Sequence, residues 1–194
     1  MRGWVVLEGA DSSGKTTLGR RLHEVFGGNY THSVPLPTSE MYEYHKVVTD
    51  FAVVSSRKEL VVSDRHWVSE TIYGPAFRSF AGFGSSEAQF FDNMIRKHGL
   101  YVLCVPADQE RQEARFLADR AGGKHEHFDD VREVMRLYAK LVNGDASYTE
   151  PGYLGDRIRA KDFVARGRCL VYDMDVDGKD VDGFIVKMRE MLLS

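Results

Sequence analysis

Glu8-Gly9-Ala10-Asp11-Ser12-Ser13-Gly14-Lys15-Thr16-Thr17 follows at once on the apolar run Trp4-Val5-Val6-Leu7, which reads as a strand. Residues 9–16 match the phosphate-binding pattern G-x-x-x-x-G-K-[ST]. Two glycines let the backbone close round a polyphosphate, and the loop N–H groups point at its oxygens. Lys15 sets a charge between the outer phosphates and Thr16 offers a hydroxyl to Mg²⁺. Thr16 also opens a helix over 17–26 that Gly27-Gly28 closes, so the positive end of that helix faces the phosphates. At ordinary composition the pattern arises by chance in about one chain of this length in a hundred. Its place between a strand and a helix makes chance a poorer explanation still. In an empty loop Lys15 is expected to face solvent.

Working outward, strand and helix signals alternate. Residues 30–34 read as a second strand stopped by Pro35 and Pro37, and Ser39 as the cap of a helix running to Ser55. Residues 60–63 form a short apolar strand. Ser86 with Gln89 reads as a capping box for a helix to His98, which Gly99 ends, and 100–105 is a fourth strand. Helical patterns cover 109–119 and 129–142, with the Gly-, Lys- and His-rich stretch 121–127 between them reading as mobile. Residues 143–155 are a polar loop, 158–165 helical, 169–172 the last strand and 181–193 the last helix. Such alternation implies right-handed crossovers and an α/β fold: a parallel sheet of about five strands with helices on both faces. Without repeats or linkers, residues 1–194 read as one domain with a lid at about 119–128.

At 43% hydrophobic and 28% charged residues the chain can build a full core, and its net charge of -3 gives no support for a large nucleic-acid footprint. Cys104 and Cys169 lie in apolar stretches as free thiols do, so the expected compartment is the reducing cytoplasm. No signal peptide is read before the first strand, and no apolar run approaches membrane-spanning length. His125-Glu126-His127 has no third ligand at metal-site spacing. The acidic run 173–178 lacks the glutamate of a calcium loop and reads as the turn after the last strand.

In parallel sheets of this kind ligands gather at the carboxyl ends of the strands. Asp64-Arg65-His66 stands there, after the third strand. An acid so placed can hold Mg²⁺ through water, and an arginine can clamp a phosphoryl group bidentately. The basic run Arg111, Arg115, Arg120 and Lys124 surrounds the 121–127 stretch. Those cations could close over a transferring phosphate, or could face solvent beside Glu110, Glu113 and Asp119.

The segment 8–17 resembles the P-loop of thymidylate kinases, E-G-x-[DE]-x-x-G-K-[ST]-T. Residues 64–73, DRHWVSETIY, are similar to that family's D-R-[YFH]-x-x-S-x-x-x-Y segment. A weaker echo, with Arg132 and Tyr138, lies in 128–138. The resemblance implies a P-loop kinase domain using ATP and Mg²⁺. Gly9, Ser12, Ser13, Gly14, Lys15, Thr16 and Thr17 would bind the donor phosphates, Thr16 and Asp64 the metal, and Arg65 the phosphates. Asp11 would hold the acceptor sugar, while Ser69 and Tyr73 would line the acceptor pocket. Where family members place an arginine in the P-loop, this chain has Ser12 and Ser13, so the charge must come from the lid, through Arg115, Arg120 or Lys124.

Departures bear on the acceptor. The family places an arginine or glutamate with a proline just after the second strand and an A-x-R-x-x-H helix before the third, which together grip the acceptor; this chain has Val34-Pro35-Leu36-Pro37 there, and its acceptor region is a helix shorter. For a free nucleotide, Arg57 or Arg78 must supply the missing grip. The expected reaction is transfer of the γ-phosphate to a deoxynucleoside monophosphate, dTMP or a related nucleotide. Alternatives with the same machinery are a deoxynucleoside kinase and a kinase for a hydroxymethylated base in a nucleotide or in DNA. A P-loop switch is the alternative from another class, although no N-K-x-D motif is present. The expected partner is a small deoxynucleotide, with DNA as a second acceptor, no membrane, and a homodimer left open.

Overall fold

Strand β1 (Gly3–Glu8) is buried from Trp4 to Glu8, and alternate side chains feed two separate cores. A computed structural model describes residues 1–33, 38–78, 82, 84–119, 128–143, 150–151, 157–158 and 168–193. After β1 come α1 (Lys15–Phe26), β2 (Asn29–His32), α2 (Thr38–Ser55), β3 (Leu60–Asp64), α3 (Trp67–Arg78), α4 (Ser85–His98) and β4 (Gly99–Cys104). Then follow α5 (Gln109–Asp119), α6 (Phe128–Asn143), the short β5 (Glu150–Pro151) and β6 (Arg157–Ile158), and β7 (Cys169–Tyr172). A 3₁₀ turn at Asp177–Asp180 leads into α7 (Val181–Leu193).

The main sheet has five strands, all parallel, in the order β2-β3-β1-β4-β7. Parallel strands need helical crossovers, and the crossovers cover both faces. On one face Trp4, Val6, Val61, Tyr101 and Leu103 pack against α2, α3, α4 and α6; on the other Val5, Leu7, Val62, Leu100 and Val102 pack against α1 and α7. The Trp4 Nε1–H donates to Ser63 Oγ at 3.0 Å, tying β1 to β3 inside the first core. The chain turns to opposite sides of β1 for β3 and β4, so the crevice of such a sheet falls at the carboxyl end of β1.

The α/β architecture and the strand count agree with expectation. Four local readings need correction. Helix α3 is absent from the sequence reading: Trp67 to Thr71 are all buried, the polar Ser69, Glu70 and Thr71 included, so its polar residues do not mark a solvent face with helical period. Helix α4 is closed at its start by Gly84 N–H donating to Glu87 Oε2 at 2.7 Å, two residues ahead of the Ser86 and Gln89 box. Ser39 lies inside α2 instead of capping it. Ile158 pairs with Glu150 in a two-stranded ribbon, where a helix was expected. The stretches 34–37, 121–127, 144–149 and 159–166 lie outside the described residues, as does most of the expected lid. Among the described residues no helix is long and apolar enough to cross a membrane.

Phe91 marks the centre of the first core. It is fully buried on α4 against the rings of Tyr42, His45 and His66. Phe91→Ala should lower the unfolding free energy by about 3–5 kcal/mol, read from urea denaturation followed by tryptophan fluorescence. A loss under about 1 kcal/mol would mean that the site collapses freely and is not part of the core.

Candidate active site

The loop between β1 and α1 leaves the sheet at Gly9, whose φ of 156° and close approach to the Cys104 carbonyl exclude any Cβ. Ser12 adopts a left-handed φ of 56°, and Gly14 caps α1 without any side-chain hydrogen bond. No acidic residue sits in the first turn of α1. The first N–H groups of the helix therefore stay available to an anion. Lys15 lies along the loop, not out in solvent as expected. It is 5% exposed and donates to the Ala10 carbonyl at 2.7 Å and to Ser13 Oγ at 3.4 Å.

Asp64 ends β3 at the level of Leu7 on β1, because the two strands run in register. Its carboxylate is fully buried. Oδ2 accepts from Thr16 Oγ1 at 3.3 Å and from the Tyr30 hydroxyl at 2.5 Å, and His32 Nδ1 lies 3.3 Å away; Oδ1 has no hydrogen-bond partner. A buried carboxylate oxygen without a donor, beside a threonine hydroxyl at the loop, fits a hard divalent cation. Arg65 follows with a left-handed φ of 74°, which swings its guanidinium back over the loop. It donates to Asp11 Oδ1 at 2.5 Å and to the Gly9 carbonyl at 3.4 Å, and it lies 4.4 Å above the Tyr73 ring.

Beneath the loop, Glu8 is fully buried. It accepts from the His66 N–H at 2.9 Å, from Ser69 Oγ at 2.5 Å and from the Tyr138 hydroxyl at 3.1 Å. Burial pushes its carboxyl above the ordinary range, and these hydrogen bonds and Arg65 pull the other way. Ser69 is thus engaged inward, with Glu8 and Tyr138, although the sequence suggested an acceptor-lining role. Tyr73 stacks under Arg65.

Helix α5 closes the far side. Gln112 Nε2 donates to the Asp11 carbonyl at 2.8 Å, Arg115 Nε to the Ser12 carbonyl at 3.4 Å, and Ser12 Oγ to Asp119 Oδ2 at 3.2 Å. Arg115 also pairs with Asp175 at 2.8 Å, and its Nη2 is buried without a hydrogen-bond partner. Of the basic run, then, Arg115 reaches the loop; Arg111 binds Asp175, and Arg120 and Lys124 lie outside the described residues. The cleft, of about 370 Å³, is lined by the loop from Asp11 to Thr17 with His32, Arg65, Arg115, Asp119 and Met174.

One of the two proposed acceptor cations lies far from the cleft. Arg57 lies in the turn before β3, at the amino end of a strand whose carboxyl end carries Asp64, so the length of the sheet separates it from the loop. Arg78 ends α3, and its side chain lies outside the described residues. Sequence reading missed Glu8, Tyr30, His32 and Gln112, which matter through contacts 30 to 130 residues apart in sequence.

No protein-family model and no curated protein sequence matches the chain. Solved structures share its fold, the following three among them. The YorR protein of Bacillus subtilis in complex with phosphorylated GDP is 16% identical, with 96% of this chain and 97% of that one covered and a TM-score of 0.64. Deoxyadenosine kinase of M. mycoides with bound dATP is 10% identical, with 96% and 99% covered and a TM-score of 0.53. A gluconokinase of Sinorhizobium meliloti 1021 is 11% identical, with 99% and 97% covered and a TM-score of 0.53. The chain therefore has the fold of P-loop kinases.

Burial holds the Lys15 ammonium down to about 8, helped by Arg65 and opposed by Asp64 and Asp11. In the free protein its charge is present at neutral pH and lost as pH rises through about 8. ADP affinity measured by calorimetry should accordingly fall from about pH 8 upward, well before an ordinary lysine near ~10.4 would titrate. A pH-independent affinity up to about pH 10 would contradict this placement of Lys15.

Proposed function

We propose that this chain is a phosphotransferase that moves the γ-phosphoryl group of ATP, accompanied by Mg²⁺, onto a deoxynucleoside-type acceptor, most simply a 5′-monophosphate. One observation carries the reading. Lys15, the uncapped start of α1 and Arg115 line one cleft at the switch point of the sheet, and the buried Asp64, whose Oδ1 has no hydrogen-bond partner, is bonded to Thr16 of that lining. Phosphoryl transfer demands this combination, since its catalysis is positioning and charge neutralisation with no covalent intermediate. Two structural neighbours are named with bound nucleotides, phosphorylated GDP and dATP, in keeping with a nucleotide ligand.

The roles divide by position. The loop N–H groups and Lys15 hold the donor phosphates, and Thr16 and Asp64 hold the metal, which would neutralise charge on the donor oxygens. Arg115 supplies from α5 the cation that the loop lacks, with Arg120 joining it. Arg65 meets the acceptor phosphate, and Asp11 its sugar hydroxyl. In the reaction an acceptor oxygen forms the new bond to phosphorus while the bridging oxygen leaves with ADP. A second reading, transfer to the 5′-hydroxyl of a deoxynucleoside, gains support from the distance of Arg57. Among the described residues, Arg65 is then the one cation placed for an acceptor phosphate.

A coupled ADP-release screen over deoxynucleosides, their monophosphates and hydroxymethyl-containing DNA tests the proposal. The expected result is saturable turnover with a deoxynucleoside monophosphate, abolished in Lys15→Ala and lowered by on the order of 10² in kcat in Arg115→Ala. Both variants should retain the native circular dichroism spectrum. Turnover on nucleosides alone selects the second reading, and ADP release that needs no acceptor contradicts both.

A further inference from the structure

Tyr30 and His32 stand two residues apart on β2, so both side chains lie on the same side of that strand. Both reach Asp64. With Thr16 they crowd a single oxygen, Oδ2, while Oδ1 of the same fully buried carboxylate receives no donor. The Tyr30 contact is the shortest of the three, at 2.5 Å. Its ring also has a seat prepared on the neighbouring helix. A Cβ on Gly19 of α1 would collide with Tyr30 Cε2 and come within 3.1 Å of Cδ2, so the helix carries no side chain where the ring crosses it.

A carboxylate that is free to rotate offers either oxygen to a cation and loses that freedom on binding. A neutral O–H fixed to one oxygen removes the rotation beforehand, and unlike a lysine or arginine it brings no charge to repel the metal. We infer that Tyr30 is a positioning residue for the cation site: its hydroxyl pins Asp64 Oδ2 and thereby presents Oδ1 to the divalent metal that accompanies the donor phosphates. Gly19 is the space that lets the ring do so. This inference rests on the reading of Asp64 as a metal-holding residue.

The test is Mn²⁺ binding to the full chain in the presence of ADP, followed by electron paramagnetic resonance of the free ion. Tyr30→Phe keeps the ring on Gly19 and removes only the hydroxyl. It should weaken Mn²⁺ binding about tenfold and should raise the Mg²⁺ concentration for half-maximal turnover by a similar factor. Gly19→Ala, which leaves the hydroxyl but displaces the ring, should give the same loss of metal affinity. Equal Mn²⁺ affinity in the wild type and Tyr30→Phe overturns the role of Tyr30 while leaving the metal site standing. Failure of the wild type itself to bind Mn²⁺ with ADP overturns the metal reading of Asp64, and the inference with it.

Discussion

Arg65 N–H donates to the Leu7 carbonyl at 2.9 Å, the last link between β1 and β3, and it fixes the level at which the sheet ends and the site begins. One residue beyond it on β1 stands Glu8, then the phosphate loop; β3 ends at Asp64, and Arg65 follows it. Because the two central strands run parallel and in register from Gly3 opposite Leu60, their charged ends emerge side by side. A shift by one residue would send Asp64 and Leu7 to opposite faces and separate the acid from Thr16. The apolar runs that bury both faces of these strands therefore serve the chemistry, by forbidding that shift.

Burial of charge at this edge is costly, and the contacts show how it is offset. Glu8 would be destabilising as an isolated buried carboxylate, but it accepts three hydrogen bonds from α3, α6 and the turn after β3. That network joins the base of the loop to the helix that follows the expected lid. Lys15 is offset by carbonyl and hydroxyl oxygens of its own loop, and Arg65 by Asp11. Among the atoms left without a hydrogen-bond partner, with the Tyr73 hydroxyl and Oδ2 of Asp175, are Oδ1 of Asp64 and Nη2 of Arg115, one acceptor and one donor. A metal-bound polyphosphate is complementary to both.

The loop and the sheet were legible in the sequence because their signals are local. The phosphate pattern, the strand before it and the helix after it occupy one continuous stretch, and the apolar strands are short runs between polar segments. Helix α3 was not legible, since Trp67 to Ile72 are buried on every side and the segment ends in Gly-Pro-containing sequence with poor helix propensity. Arg57 looked like a site residue because it precedes the Asp64 strand in sequence. Chain direction puts it at the wrong end, which a count of cations cannot register. Tyr30 and His32 read as ordinary strand residues, and Gln112 as part of a charged helix. Their importance comes from strand order and helix docking, which no window of sequence contains.

The central claim is that Asp64 and the loop act together on the terminal phosphate of a nucleotide. The most direct measurement follows the label of γ-labelled ATP in a single turnover with a deoxynucleoside monophosphate, comparing the wild type with Asp64→Asn. The account predicts label in the product diphosphate for the wild type. It predicts transfer slower by on the order of 10³ in the variant, with ADP still bound. Label that appears only as inorganic phosphate, or transfer that proceeds equally well in Asp64→Asn, would contradict it.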